Sequence, residues 1–363
     1  RYQEIIDGLS LTLSLADEFA VIEKNFRAHA GKDYAASRGE YLNGIVMAAY
    51  LGYEFVDAAQ VVFFKENGEF DAVKTNEVLG ERLQNMENAV VPGFYGANPD
   101  GSIRTFSRGG SDITGSIVAK AVHADVYENW TDVSGFLIAD PNIIPNPEKI
   151  ETITYRELRE LSYMGANVLH SESIFPVKSA GIPIRIRNTF RPEDEGTLIV
   201  ATSGRRREDN VVTGIAGKKD FTVILLEKSM MNSEIGFAAK VLEVLSRHGI
   251  SFEHLPSGID TMSVVIDNKY LENDDLGAIL EEIREAVRPD HIYTHENIAL
   301  VATVGHGMAR SVGTSARLFK ALSEAGINVI MIDQGSSELN IIVGVAGEDC
   351  APCIRAIYRE FFS

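Results

Sequence analysis

From Phe221 onward the chain repeats itself, and that repeat limits the folds open to it more than any other feature. With a shift of 77 residues, Gly236 falls on Gly313, Ala239 on Ala316, Lys240 on Arg317, Leu245 on Leu322, Ser246 on Ser323, Gly249 on Gly326 and Ile250 on Ile327. The match extends into strands, where Ser263–Asp267 falls on Asn340–Gly344. Each copy reads as a strand, a glycine-started helix, a Gly-Ile turn, two strands and a second helix, Leu276–Val287 or Ala351–Phe362. Such a βαββαβ unit buries one sheet face under two helices and leaves an edge for a copy of itself. Two small ferredoxin-like modules are expected, packed on each other or across a dimer.

Before the repeat, helical and strand patterns alternate, which argues for a layered α/β domain with a mostly parallel sheet. Ile5–Ala28 and Ser37–Leu51 carry apolar residues at helical spacing, Ser37 being the expected cap of the second. Tyr53–Asp57, Gln60–Phe64, Ala89–Val91, Ala124–Trp130, Ile182–Asn188 and Thr197–Thr202 read as strands, and Ser116–His123 as helix. With 363 residues there is material for two or three domains.

Charge narrows the partners. Asp plus Glu total 52 against 34 Lys plus Arg, a net −18 that repels a phosphate backbone over most of the surface, so nucleic acid is a poor candidate. No apolar run approaches a membrane span, and no secretory signal opens the chain, so a cytoplasmic protein is expected. The cysteines, Cys350 and Cys353, form Cys-Ala-Pro-Cys at a helix start. That spacing serves redox chemistry in thioredoxin-like units, but the rest of such a unit is missing and two reduced thiols are the plainer reading.

Neither Gly-x-x-x-x-Gly-Lys-Ser/Thr nor Gly-x-Gly-x-x-Gly occurs, which disfavours P-loop and Rossmann enzymes. The chemistry instead concentrates in Gly93–Val118, where a polar loop ends at Ser107-Arg108-Gly109-Gly110-Ser111-Asp112 and a helix follows. Two glycines there let backbone N–H groups approach an anion. Arg108 could hold a carboxylate at two points, and Ser111 and Asp112 could cap the helix and meet an ammonium; a plain cap with a solvent arginine is the alternative. Trp130-Thr131-Asp132-Val133 follows a strand, at the end where open α/β sheets bind ligands. Asp140-Pro141 could be only a turn. The arginine run in Ser203–Asn210 reads as an exposed turn, and His170 and His306 as structural histidines.

Ser-Arg-Gly-Glu at 37–40, Arg-Gly-Gly-Ser-Asp at 108–112, Trp-Thr-Asp-Val at 130–133, Asp-Pro at 140–141 and Met-Gly-Ala-Asn-Val-Leu-His at 164–170 resemble the aspartate kinase family, and the repeated modules resemble its paired ACT domains. The resemblance runs in order along essentially the whole chain. It implies an α/β, three-layer αβα amino acid kinase domain over residues 1–215, an ACT domain over 216–295 and a second over 296–363, with strands that can interleave. It implies ATP with Mg²⁺, L-aspartate as acceptor, and 4-phospho-L-aspartate as product, the first step of lysine, threonine and methionine biosynthesis. By the same resemblance Arg108 clamps the substrate α-carboxylate, with Glu40, Gly109, Ser111 and Asp112 around the amino group. Thr131, Asp132, Leu137, Asp140 and Asn167 lie on the nucleotide side. The effector loop is Met231–Ala238, including Ser233, Gly236, Phe237 and Ala238, facing Ser251, Phe252, Glu253 and Ser257; Phe237 and Phe252 are also plain core candidates. Lysine is the expected inhibitor, then threonine, in a homodimer or higher homo-oligomer joined through the ACT domains.

Three departures stand out. Asn167 and Asn142 stand where many family members have cations that touch ATP phosphates, and an amide cannot neutralise charge. Leu137 stands where an aromatic often faces adenine. Family members also open with a strand and a Lys-Phe-Gly-Gly-Thr-Ser loop, which does not precede Arg1, so the 363-residue piece alone is expected to turn over little. The competing readings are a kinase for another acidic amino acid, a catalytically inactive amino-acid-binding regulator on the same fold, and a subunit that only modulates a catalytic partner.

Overall fold

The computed structural model describes residues 1–107, 109–166, 174–202, 211–271 and 276–363. They form two compact units, one of Arg1–Gly135, Glu151–Tyr155 and Asn167–Ser203, the other of Phe136–Ile150, Arg156–Ala166 and Gly204–Ser363.

The first unit opens with helices α1 (Tyr2–Gly8), α2 (Ala16–Arg27) and α3 (Lys32–Leu51). The helical stretch expected over Ile5–Ala28 is therefore two helices. Ser37 is not a cap either: it lies buried inside α3, where its hydroxyl donates to the Tyr34 carbonyl at 2.8 Å. Next come β1 (Glu54–Phe55), α4 (Ala72–Leu83), β2 (Ala89–Val90), the hairpin β3 (Tyr95–Ala97) and β4 (Ile103–Thr105), α5 (Gly110–Ala121) and β5 (Tyr127–Thr131). Gln60–Phe64 forms only the end of a 3-10 turn and isolated bridges of Phe63 and Phe64, not a strand. The remaining elements are β6 (Thr152–Thr154), α6 (Tyr155–Tyr163), which runs from Tyr155 into the second unit, α7 (Phe175–Ala180), β7 (Ile184–Asn188) and β8 (Thr197–Val200). β1 and β2 pair in parallel. The larger sheet has the order β5-β7-β8-β6, with parallel β5/β7 and β6/β8 and antiparallel β7/β8. Leu79, Tyr95 and Ile117 bring α4, the hairpin and α5 into one core.

The second unit contains β9 (Gly214–Glu227), α8 (Phe237–Arg247), β10 (Thr261–Asp267), α9 (Leu276–Val287), β11 (His291–Val304), α10 (Thr314–Glu324), β12 (Met331–Asp333), β13 (Asn340–Ala346) and α11 (Cys350–Phe362). One antiparallel sheet, β10-β9-β11-β13-β12, serves both repeats. β9 and β11 are each 14 residues long and correspond under the shift of 77, as do α8 and α10. Beyond the helices the correspondence slips by two. Thr261 pairs with Glu227, whereas Asn340 pairs with Val304, so β10 falls on β13 with a shift of 79, not 77. The longer connection in the second copy carries β12. Its counterpart in the first copy makes only the bridges His254↔Val265 and Ser257↔Met262, with Pro256 between them unable to donate to a ladder.

Each module has its own core. Phe237, Val241, Leu245, Ile279 and Ile283 close over β9 and β10; Leu318, Leu322, Ile354 and Ile357 close over β11 and β13, joined by Ala139 and Ile144. The Gly-Ile turns end α8 and α10 alike: Ile250 N–H donates to the Leu245 carbonyl at 2.9 Å, and Ile327 N–H to that of Leu322 at 3.0 Å. Among the described residues no helix is long and apolar enough to cross a membrane.

Candidate functional site

The first unit concentrates its polar chemistry at the start of α5. Gly109 takes a left-handed conformation (φ 57°, ψ 28°), and among the described residues no side chain caps the first helical N–H groups, which is where an anion can be held. The two segments that meet here have no room for side chains. A Cβ on Gly110 would stand 2.9 Å from Phe94 Cα, and one on Gly93 would stand 2.9 Å from Ser111 Cα. Thr114 sews them together, donating to the Gly110 carbonyl at 2.8 Å and accepting from Phe94 N–H at 3.1 Å.

Asp112, in the first turn, is half-buried and held from β5: Asn129 Nδ2 donates to its Oδ1 at 2.9 Å, and Tyr127 donates to its backbone carbonyl at 3.2 Å. Burial pushes the Tyr127 hydroxyl up to about 12, so it stays a donor at neutral pH. Ser111 is exposed at the helix start. Glu40 is exposed on α3, one turn before Gly44, where a Cβ would meet Pro92 Cβ at 3.3 Å. Ser111 therefore packs against Gly93, with Gly109 and Asp112 beside it at the helix start, while Glu40 lies on α3, whose Gly44 packs on Pro92. Arg108 lies outside the described residues.

Ser111, Thr114 and Gly115 also line a cleft of about 500 Å³ whose other walls are Val91 and Gly93 on one side and Val126 and Tyr127 on the other. At the C-terminal end of β5, the Thr131 hydroxyl donates to Asp132 Oδ1 at 3.2 Å, and the Thr131 carbonyl accepts from Thr189 N–H at 2.8 Å. Asp132 is exposed.

In the second unit Leu137 is half-buried and bridged to Lys149. Asp140 closes a turn, its Oδ1 accepting from Asn142 N–H at 2.8 Å and from Asn142 Nδ2 at 2.9 Å. The turn reading of Asp140-Pro141 thus describes its local geometry. Asn167, His170 and the arginine run lie outside the described residues.

The effector-loop residues divide. Met231 and Ser233 form a 3-10 turn, and Gly236 (φ 81°) starts α8. Asn232 N–H donates to the Ile259 carbonyl at 3.1 Å, which brings this loop to the Ser257 end of the opposite segment. Phe237 is buried and Ala238 packs beside it. Glu234 bridges Lys228 (2.5 Å) and Lys240 (2.8 Å), and hydrogen bonds from these two ammonium groups hold its carboxyl down at about 2. Ser251, Phe252 and Glu253 lie at the other end of the segment, about four residues or ~13 Å along it. Phe252 is not core: it is exposed, because the segment touches β10 at two bridges only. Glu253 N–H donates to the Val265 carbonyl at 2.8 Å, and its Oε2 accepts from the Tyr163 hydroxyl.

Sequence reasoning missed Asn129 and Tyr127. Asn129 is the buried position of β5, and a buried amide inside a strand was the available signal. Cys350 and Cys353 are free thiols buried in the second module's core, where burial pushes Cys353 up to about 12.

Comparison with known proteins identifies the family and the fold. Residues 4–188 match the amino acid kinase family, and residues 301–361 match an ACT domain. Aspartokinase 3 of Bacillus subtilis (strain 168) is 41% identical over 343 residues, covering 91% of this chain and 74% of that protein. The crystal structure of Clostridium acetobutylicum aspartate kinase, described as an allosteric enzyme, superposes with a TM-score of 0.94 at 52% identity over 99% of this chain and 83% of its own. Escherichia coli aspartokinase III, solved with lysine and aspartate, shares the fold at a TM-score of 0.74 and 24% identity, covering 96% of this chain and 82% of its own.

Proposed function

Because this chain belongs to the aspartate kinase family of phosphotransferases, we propose that it transfers the γ-phosphoryl group of MgATP to the side-chain carboxylate of L-aspartate, giving 4-phospho-L-aspartate and ADP. The observation that carries this reading is the α5 start, where among the described residues no side chain caps the N–H groups that follow Gly109 and an Asp112 carboxylate fixed by Asn129 stands beside them. A zwitterionic amino acid needs that pairing, donors for its α-carboxylate and an anion for its ammonium. Arg108 clamps the α-carboxylate, Gly109 and Ser111 add donors, and Asp112 with Glu40 receives the ammonium. The acceptor carboxylate is then presented to the nucleotide, for which Thr131, Asp132, Leu137, Asp140 and Asn167 are the assigned residues. Such a transfer needs in-line positioning and charge neutralisation more than covalent help from the protein.

Residues 1–215 are assigned to this chemistry and 216–295 and 296–363 to regulation. The effector is an amino acid, lysine before threonine, taken at the Met231–Ala238 loop with backbone donors at Gly236. The related C. acetobutylicum enzyme is described as allosteric, and the E. coli enzyme was crystallised with lysine. The protein is placed in the cytoplasm as a homodimer or higher homo-oligomer, at the entry to lysine, threonine and methionine biosynthesis. The test is hydroxylamine trapping of acyl phosphate by the full-length gene product. ATP-dependent product with L-aspartate but not L-glutamate or N-acetylglutamate is expected, and equal rates with all three would overturn the reading.

A further inference from the structure

Two neighbouring residues of the first module reach in different directions. Glu253 accepts from the Tyr163 hydroxyl at the end of α6, and His254 Nδ1 lies 2.5 Å from Asp333 Oδ2 on β12 of the second module. In an extended segment successive side chains point to opposite faces, so one dipeptide can serve both contacts. The segment is fixed from behind by Glu253 N–H to Val265 O (2.8 Å) and Val265 N–H to His254 O (3.0 Å), and four residues on it bridges to Met262 beside the effector loop.

α6 is also tied to the second module. Glu157 Oε1 accepts from the Thr213 hydroxyl (2.6 Å) and from His306 N–H (2.6 Å), and Glu160 Oε2 accepts from Asn340 Nδ2 at 2.7 Å. Glu157, Glu160 and Tyr163 recur every third residue, along one side of the helix. Tyr163 makes the contact to the first module; Glu157 and Glu160 make those to the second. Glu157 is buried, whereas Tyr163 is more than half exposed. The tie to the second module is thus the more buried one, and the tie to the first the more exposed.

We propose that Glu253-His254 is the junction through which the first module's state reaches α6 and the second module, the Tyr163–Glu253 and His254–Asp333 contacts being made or broken together. The proposal rests on the reading of this chain as an effector-regulated kinase. Coupling requires an element that differs between two states and that both sites bias. A ligand that shifts the 251–257 segment against β10 changes both contacts at once. Four residues beyond Tyr163 the chain reaches Asn167, assigned above to the nucleotide.

The experiment uses the full-length enzyme with Tyr163→Phe, which removes one hydroxyl from an exposed ring, and Asp333→Asn. In hydrogen–deuterium exchange without any effector, Tyr163→Phe should speed exchange in α6, and Asp333→Asn should speed it both at 253–257 and in α6. Changes confined to the few residues around each substitution would overturn the junction. With lysine as the probe, Tyr163→Phe should bind it within threefold of wild type by calorimetry, while the inhibitory concentration rises by about fivefold or more at unchanged uninhibited rate. Binding and inhibition both matching wild type would also overturn the proposal. If wild type neither binds lysine nor is inhibited by it, the effector reading fails, and the exchange result still decides the junction.

Discussion

The helix starts α5, α8 and α10 are all capped by a left-handed glycine, Gly109, Gly236 and Gly313, but that of the first unit needs glycine for a second reason as well. At α5, Gly93 and Gly110 are required by contact, since a Cβ on either would stand 2.9 Å from a backbone Cα. At α8 and α10, Gly236 and Gly313 have nothing within 4 Å of a would-be Cβ, and only their φ of 81° and 94° calls for glycine. The first arrangement is a closed, preassembled cradle. The second is an open turn with space around it, as at Ile235, 98% exposed beside Gly236. A substrate site gains from a fixed geometry, because its ordering is completed before the ligand arrives. A regulatory loop must instead be able to respond.

Several changes would break or sharpen this contrast. The largest effect is expected at Asp112→Asn, which keeps a carbonyl for Asn129 but removes the charge. kcat/KM for aspartate should fall about 100-fold, equivalent to about 2.7 kcal/mol, with thermal stability nearly unchanged; a loss below threefold would remove Asp112 from the site. Gly110→Ala comes next. Its Cβ meets backbone, which cannot step aside, so a loss of about 1–3 kcal/mol is expected in denaturant titration, together with a raised KM for aspartate. Gly236→Ala should cost less, about 1 kcal/mol, from the left-handed backbone alone, and Gly236→Asn should recover much of it. If the alanine variant at 236 proved as costly as the one at 110, the two helix starts would not differ as described.

The smallest effect separates the two modules. Glu234 sits in the turn before α8, and at the corresponding place before α10 stands Ser311. The Glu234 carboxyl, ordinarily near 4.5, is held down at about 2 by Lys228 and Lys240. A depressed folded value means that its contribution is fully present above pH 4.5 and is lost as pH falls toward 2. Exchange at the start of α8 should therefore rise across that window while exchange at α10 does not; parallel changes would show that the lysine pair is not what fixes the turn.

How far the sequence could be read follows from which contacts are local. The helix pairs and Gly-Ile turns are set by neighbouring residues, and α9 lies where its periodicity places it. Ser37 looked like a cap because a small hydroxyl precedes an apolar run, yet α3 had already begun at Lys32. The full span of β9 was hidden because the repeat reads as beginning at Phe221, past the charged Lys218-Lys219-Asp220. In the folded chain Lys218 is paired with Asp267 at 2.6 Å, which lets a charged residue continue the strand. Arg-Gly-Gly-Ser-Asp could be recognised as a motif, but its support from Asn129 depends on where β5 lies against α5. Glu253 is assigned to the effector by the family resemblance alone, which carries no information on the Tyr163 hydroxyl that it accepts from in the folded chain.

The two long strands also show how the modules are nested. Asp220 and Asn297 correspond under the shift of 77, both have positive φ (71° and 55°), and they stand at the level where β9 and β11 pass from one module to the other. Residues 221–298 hold all of the first module's strands and helices, so that module is a guest spliced into a host. Excise one period, and the lower halves of β9 and β11, already paired from Lys218↔Leu300 to Gly214↔Val304, become the two arms of a simple hairpin. The left-handed residue already present at the splice suits the tight turn such a hairpin needs. A module inserted at a hairpin tip leaves the ladders of its host intact, which is how the two modules share one sheet and keep separate cores.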